Sequence, residues 1–184
     1  MATQVTHPKF TVEEYRLLFE TGVFPENRRV ELIDGELSEM SPIGGQHVRC
    51  IALFTRILAR AVGDNAYLSV QGSMRIGMRS EPEPDIIIFW TLPEGREPPL
   101  PDDIPLLIEV AESSLAYDRD VKAPLYAAAG IPEYWVADIN HRQIIRHRRP
   151  GATGYEHVDV VGIGERIVAE QLPEIDIAVA DVFV

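Results

Sequence analysis

A single cysteine, Cys50, in a chain of 184 residues excludes an intrachain disulfide and with it the stapled frameworks of small secreted domains. Missing too is any apolar run near the roughly 20 residues a membrane helix needs. Met1 to Phe10 lacks the charged-then-apolar pattern of a secretory signal. A cytoplasmic location, with no membrane partner, is the expectation. Lysine is almost absent: of 17 basic residues only Lys9 and Lys122 are lysines. Positive charge is scarce overall, and 29 acidic residues bring the net charge to -12. That balance counts against a simple nucleic-acid binder, because phosphate contacts need Lys and Arg. The deficit is uneven. Glu156, Asp159, Glu165, Glu170, Glu174, Asp176 and Asp181 crowd the last 35 residues against Arg166 alone. Arg142, Arg146, Arg148 and Arg149 come just before them and leave room for a local basic patch.

What is present is an ordinary globular composition, 46% hydrophobic and 25% charged, of a length that suits one domain over 1–184. Residues 11–20 open on a Thr cap and predict a short helix. Asp34-Gly35 between two strand-like runs predicts an N-terminal β-hairpin. Ser41 to Gly45 reads as a loop launching a helix over about 46–62, where Ile51, Phe54, Leu58 and Ala61 repeat at helical spacing. Tyr67 to Met78, Asp85 to Trp90 and Leu106 to Ala111 are candidate strands, the last two nearly continuous apolar runs. Leu92 to Pro105, rich in Pro and Glu, is an exposed connection. Asp118 to Ala129 predicts a helix stopped by Gly130 and Pro132. Tyr134 to Asp138 and Gln143 to His147 form a hairpin, followed by one or two closing strands. The order argues for an α/β (α+β) domain, a mixed β-sheet flanked by helices.

Glu109 interrupts a run that should be buried on both faces. An ionised carboxylate there costs several kcal/mol unless a cation or strong donors accompany it. Asp85, at the head of the neighbouring run, poses the same problem. If the two runs are antiparallel neighbours, the start of the first lies beside the end of the second, and the two acids meet. Carboxylates held that close repel unless a cation sits between them, and Mg²⁺ suits such a site. The alternative is that both acids end strands and pair with arginines.

Pro84-Asp85, Leu107-Ile108-Glu109-Val110, Asp118 with Lys122, and Gly130-Ile131-Pro132-Glu133-Tyr134-Trp135 together resemble the Uma family of the PD-(D/E)XK restriction-endonuclease-like superfamily. Val30-Glu31-Leu32-Ile33-Asp34-Gly35 and Gly45-Gln46-His47 extend the likeness upstream, so that it covers roughly residues 11 to 140. The resemblance implies a restriction-endonuclease-like core over that range, with C-terminal strands over 141–184. It implies Asp85 and Glu109 as catalytic metal ligands. The superfamily lysine belongs two residues after Glu109, where this chain has Ala111; Lys122 is the candidate to replace it. An ammonium approaches a metal-bound water as a compact charge and loses its proton more readily when buried, whereas the alternative is a plain Asp118–Lys122 helix pair. Glu31 is a further candidate metal ligand, or an exposed strand carboxylate. His47, at a helix start, is a candidate phosphate contact, although a surface or capping role is the better reading. Gln71 is a candidate support beside Asp85. Tyr134 and Trp135 read as core.

The expected function is an endonuclease that hydrolyses phosphodiester bonds with Mg²⁺, Mn²⁺ as a substitute, and DNA as partner. The alternative is an inactive nuclease-fold module that binds nucleic acid or a protein without cutting. A homodimer through a sheet edge stays open.

Overall fold

The computed structural model describes residues 8–25, 28–40, 43–95 and 97–183. Helix α1, Val12–Glu20, starts at a Thr11 capping box in which the Thr11 hydroxyl takes the Glu14 N–H and the Glu14 carboxylate takes the Thr11 N–H. Strands β1, Val30–Ile33, and β2, Glu36–Glu39, pair antiparallel across Asp34-Gly35. Both turn residues have positive φ, 46° and 77°, as a two-residue hairpin requires. Leu32 bridges backbone to backbone with Glu81, which ties this hairpin to the rest of the chain.

Six strands form the main sheet: β3 Tyr67–Val70, β4 Ile86–Phe89, β5 Leu106–Ala111, β6 Glu133–Asp138, β7 Gln143–Gly151 and β8 Gly154–Gly162. They lie in sequence order, and only β5 and β6 run parallel. The sheet is therefore mixed, and the parallel pair needs a crossover, supplied by α3, Leu115–Tyr117, and α4, Ala123–Ala128.

One face of the sheet packs on α2, Gly45–Val62. Its buried stripe of Cys50, Phe54, Leu58 and Val62 meets Ile86, Ile88, Leu106, Ile108 and Trp135. Burial pushes the Cys50 thiol up to about 12, which makes it an inert core group. The same core takes in a two-stranded ribbon, β9 Arg166–Val168 with β10 Asp176–Ala178, through Ile167, Ile175 and Ile177. The opposite face buries Ile87, Leu107, Ala111 and Val136 under Ala123 and Tyr126 of α4. Tyr134 and Trp135 are both fully buried. The Trp135 indole N–H donates to Glu133 at 2.7 Å, so its polar edge is satisfied.

Four expectations need correction. The strand expected over 67–78 stops at Val70: Gln71 turns with φ 52°, and residues 74–82 double back, with Met74 N–H on Pro82 and Ile76 N–H on Ser80. The connection over 92–105 is not exposed throughout, because Ile104 and Pro105 are buried at the foot of β5. The helix expected from Asp118 begins at Leu115 and contains a wide turn over Asp118–Lys122, closed by the Ala123 N–H on the Asp118 carbonyl. Pro124 explains it, since it brings no N–H to the helix and its ring crowds the carbonyl four residues before. Beyond Gly151 there are three strands rather than one or two. The expected launching loop falls partly at 41–42, outside the described residues. No helix among the described residues is long and apolar enough to cross a membrane.

Candidate functional site

Register decides where the acids meet. β4 and β5 pair with Ile86 opposite Ile108, so one step further places Asp85 opposite Glu109. The two carboxylates then serve each other's strand. Asp85 donates its backbone N–H to Glu109 Oε2 at 3.2 Å, and Val110 donates its N–H to Asp85 Oδ2 at 2.8 Å. Among the described residues neither acid pairs with an arginine; Glu109 meets the Lys122 ammonium and Asp85 the His47 imidazole.

Lys122 enters from the helical side. Its Nζ lies 2.9 Å from Glu109 Oε1 and 3.1 Å from Glu31 Oε2, with the Tyr117 ring 5.8 Å away. The plain helix pair is not what forms: the Asp118 carboxylate takes the Ser114 hydroxyl at 2.5 Å instead. Ala111 is buried among apolar neighbours below α4, so the residue two places after Glu109 is core. The ammonium beside Glu109 comes from the helix.

Glu31 is not an exposed strand carboxylate. It is 1% exposed, and it takes the Glu83 N–H as well as Lys122. His47, in the first turn of α2, is not a surface residue: its Nε2 lies 3.1 Å from Asp85 Oδ2, and its Nδ1 is buried with no protein partner among the described residues. Gln71 is near Asp85 by backbone only. Its N–H bonds the Asp85 carbonyl at 2.9 Å, while its side chain is exposed and away from the cleft.

These groups surround a cleft of about 490 Å³, opened between the β1–β2 hairpin, the start of α2 and the end of β5. Gly44, the residue before α2, lines it because a Cβ there would run into the Glu112 carboxylate. Three residues in or beside the cleft had no role in the sequence reading. Tyr126 donates its hydroxyl to Glu109 Oε1 at 3.1 Å, and it follows Asp118 and Lys122 at four-residue intervals, a legible signal. Glu83 and Arg29 arrive from separate loops, and no local pattern announces them.

Four carboxyl groups, Glu31, Asp85, Glu109 and Asp118, are buried here against one lysine. Burial pushes Glu109 well above the usual carboxylate range, with Lys122 opposing and Asp85 adding to the rise. Burial likewise lifts Asp118 to about 6, again opposed by Lys122. For Lys122 itself, burial pulls downward, but Glu109, Glu31 and Asp118 outweigh it and raise the ammonium above the ordinary lysine range. The ready loss of a proton expected of a buried lysine does not occur; Lys122 is a fixed cation.

A divalent metal suits this donor set. The carboxylates outnumber the cation, and Asp85 and Glu109 present oxygens to one cleft. No three His, Cys, Asp or Glu side chains among the described residues converge to enclose an ion unaided. Mg²⁺ is commonly held by one or two carboxylates and otherwise by waters and substrate phosphates, so two carboxylates would fit it only together with such further ligands.

The Uma2 family model, described as "Putative restriction endonuclease", matches residues 12–180. The crystal structure of a "putative nuclease belonging to DUF820" from Anabaena variabilis ATCC 29413 is similar to this chain, with a TM-score of 0.76 and 16% identity over 95% of this chain and 97% of that one. At that identity the likeness shows a shared fold. None of the curated proteins matches.

Proposed function

The chain belongs to the Uma2 family, and on that premise we propose that it is a Mg²⁺-dependent nuclease that hydrolyses phosphodiester bonds in DNA, with Mn²⁺ able to substitute. The observation that carries this reading is the buried cross-strand pair Asp85 and Glu109 lining a cleft, with Lys122 at 2.9 Å from Glu109. Asp85 and Glu109 would hold the ion, with Glu31 on the far side of Lys122 as a lesser candidate. Mg²⁺ held there would supply a water of lowered pKa and positive charge against the scissile phosphate.

The chain's own groups have separate tasks. Lys122 offers its ammonium to a phosphate oxygen in the cleft. Tyr126 holds Glu109 Oε1 and so fixes which oxygen faces the cleft. His47 steadies Asp85 through Nε2, at 3.1 Å from Asp85 Oδ2. Buried side chains on two strands and a helix give these positions little freedom, which favours preorganised electrostatics over adjustment.

Supercoiled and linear DNA incubated with Mg²⁺ or Mn²⁺ test the reading. Cleavage by the unaltered chain and its loss in both Asp85→Asn and Lys122→Ala is the expected result. Activity that survives both substitutions overturns the assignment. A second reading, a nuclease-fold module that binds without cutting, draws on Ala111 at the usual lysine position and on the lack, among the described residues, of a third side chain converging on the acid pair. Calorimetric titration with Mg²⁺ separates the two, because the module predicts no metal site that disappears with Asp85→Asn.

A further inference from the structure

The four arginines near residues 142–149 do not form the free basic patch that their spacing suggests. Arg146 and Arg148 are clamped by Asp159 at 2.7 and 3.0 Å, and Arg148 also by Glu170 at 2.8 Å. Arg149 points its guanidinium at His157 on β8. Of the four, only Arg142 is held by neither a carboxylate nor a histidine among the described residues; it lies exposed at the β6–β7 turn beside the start of α2, and its Nη2 donates to the Phe183 carbonyl at 2.5 Å.

Unspent positive charge is found on α2 instead. Over its 18 residues the helix has Arg49, Arg56 and Arg60 and no acidic residue, in a chain with 29 acids. Arg56 and Arg60 follow Arg49 by seven and eleven residues, and at roughly 100° per residue each returns to within about 20° of its side of the helix. All three arginines are exposed, and none makes an ion pair among the described residues. By contrast Arg16, Arg28, Arg75, Arg119 and Arg166 each meet a carboxylate. The stripe also begins at the cleft. His47 and Gly44 line the cleft, while Arg49 and Arg142 line an adjoining depression that shares Glu112 with it.

We propose that Arg142, Arg49, Arg56 and Arg60 form a track for the phosphate backbone of duplex DNA, leading from the cleft along the outer face of α2. This rests on reading the cleft as a phosphodiester site. From Arg49 to Arg60 the helix rises about 16 Å. That spans about five phosphates of one strand at roughly 3.4 Å of axis each. The occupant is chosen by charge complementarity: a row of guanidiniums that meet no carboxylate among the described residues, in a chain of net charge -12, is recognised by a regular polyanion. A local track also removes the objection raised by the net charge of -12, because phosphate contacts depend on local rather than total charge.

The test compares the triple variant Arg49→Gln, Arg56→Gln, Arg60→Gln with a control of equal charge change, Arg28→Gln, Arg119→Gln, Arg166→Gln. Binding of a fluorescently labelled duplex is followed in EDTA at increasing salt, and kcat/KM for cleavage is followed with Mg²⁺. The track variant should bind and cleave at least tenfold less well at low salt. Its slope of log affinity against log salt should be shallower by about 0.9 for each lost contact. The control should stay near the unaltered chain, and circular dichroism should show all three folded. Unchanged binding, slope and cleavage in the track variant, or an equal fall in the control, overturns the track while leaving the nuclease reading intact. An unaltered chain that neither binds nor cuts duplex DNA overturns both.

Discussion

Lys122 stands between Glu31 and Glu109 at 3.1 and 2.9 Å and is nearly inaccessible to water. Removing one partner of such a buried group leaves uncompensated charge, at a cost of about 3–5 kcal/mol. Lys122→Met should therefore lower metal-free stability by about that much at neutral pH, measured by urea unfolding. The deficit should shrink in acid as Glu109 takes up a proton. A variant as stable as the unaltered chain would show that the ammonium does not neutralise the acids. At this scale the sequence was informative where a charge broke an apolar run: Asp85, Glu109 and Glu31 each stood out, and each is buried. Its blind spot was His47. A histidine near a helix start carries no sign of whether it faces solvent or a carboxylate, and here it faces Asp85.

Elements place these residues through apolar packing more than through local propensity. Phe54 is fully buried between α2 and the sheet, so Phe54→Ala should cost about 3–5 kcal/mol. Thr11→Ala removes only the cap of α1 and should cost about 1 kcal/mol. Thermal or urea unfolding of the two variants ranks them; a larger loss at Thr11 would mean that the N-terminal helix, rather than α2, dominates stability. β5 and the β6–β7 hairpin were legible because continuous apolar runs and a turn marked them. The break at Gln71 was not, since nothing in Gln itself demands φ 52°; the return of 74–82 onto itself imposes it. The wide turn at Asp118–Lys122 had a visible cause in Pro124, outweighed by the helical spacing around it.

For the whole molecule, the crowding of acids in the cleft predicts an unusual response to pH. A carboxyl whose folded pKa is raised contributes stability that is complete below its unfolded value and lost as pH rises through the folded value. For Asp118 that window runs from about 3.8 to about 6, and the shift is worth on the order of 3 kcal/mol. Burial raises Glu109, Glu83 and Glu133 in the same direction. Metal-free protein should thus lose stability between about pH 4 and 6, and Asp118→Asn should flatten the loss. Urea midpoints across that range check it, and a midpoint that rises with pH through the window would contradict the direction. The sequence by itself determined the class of fold, the sheet-forming runs and the two acids that could not be buried alone, because each follows from a local pattern and a desolvation cost. The tertiary structure decided which side chains meet those acids. Lys122 comes from a helix 13 residues beyond Glu109, and His47 from another on the far side of Asp85. It also decided which arginines remain free. Those answers depend on side chains brought together from distant parts of the chain, and no local periodicity records such contacts.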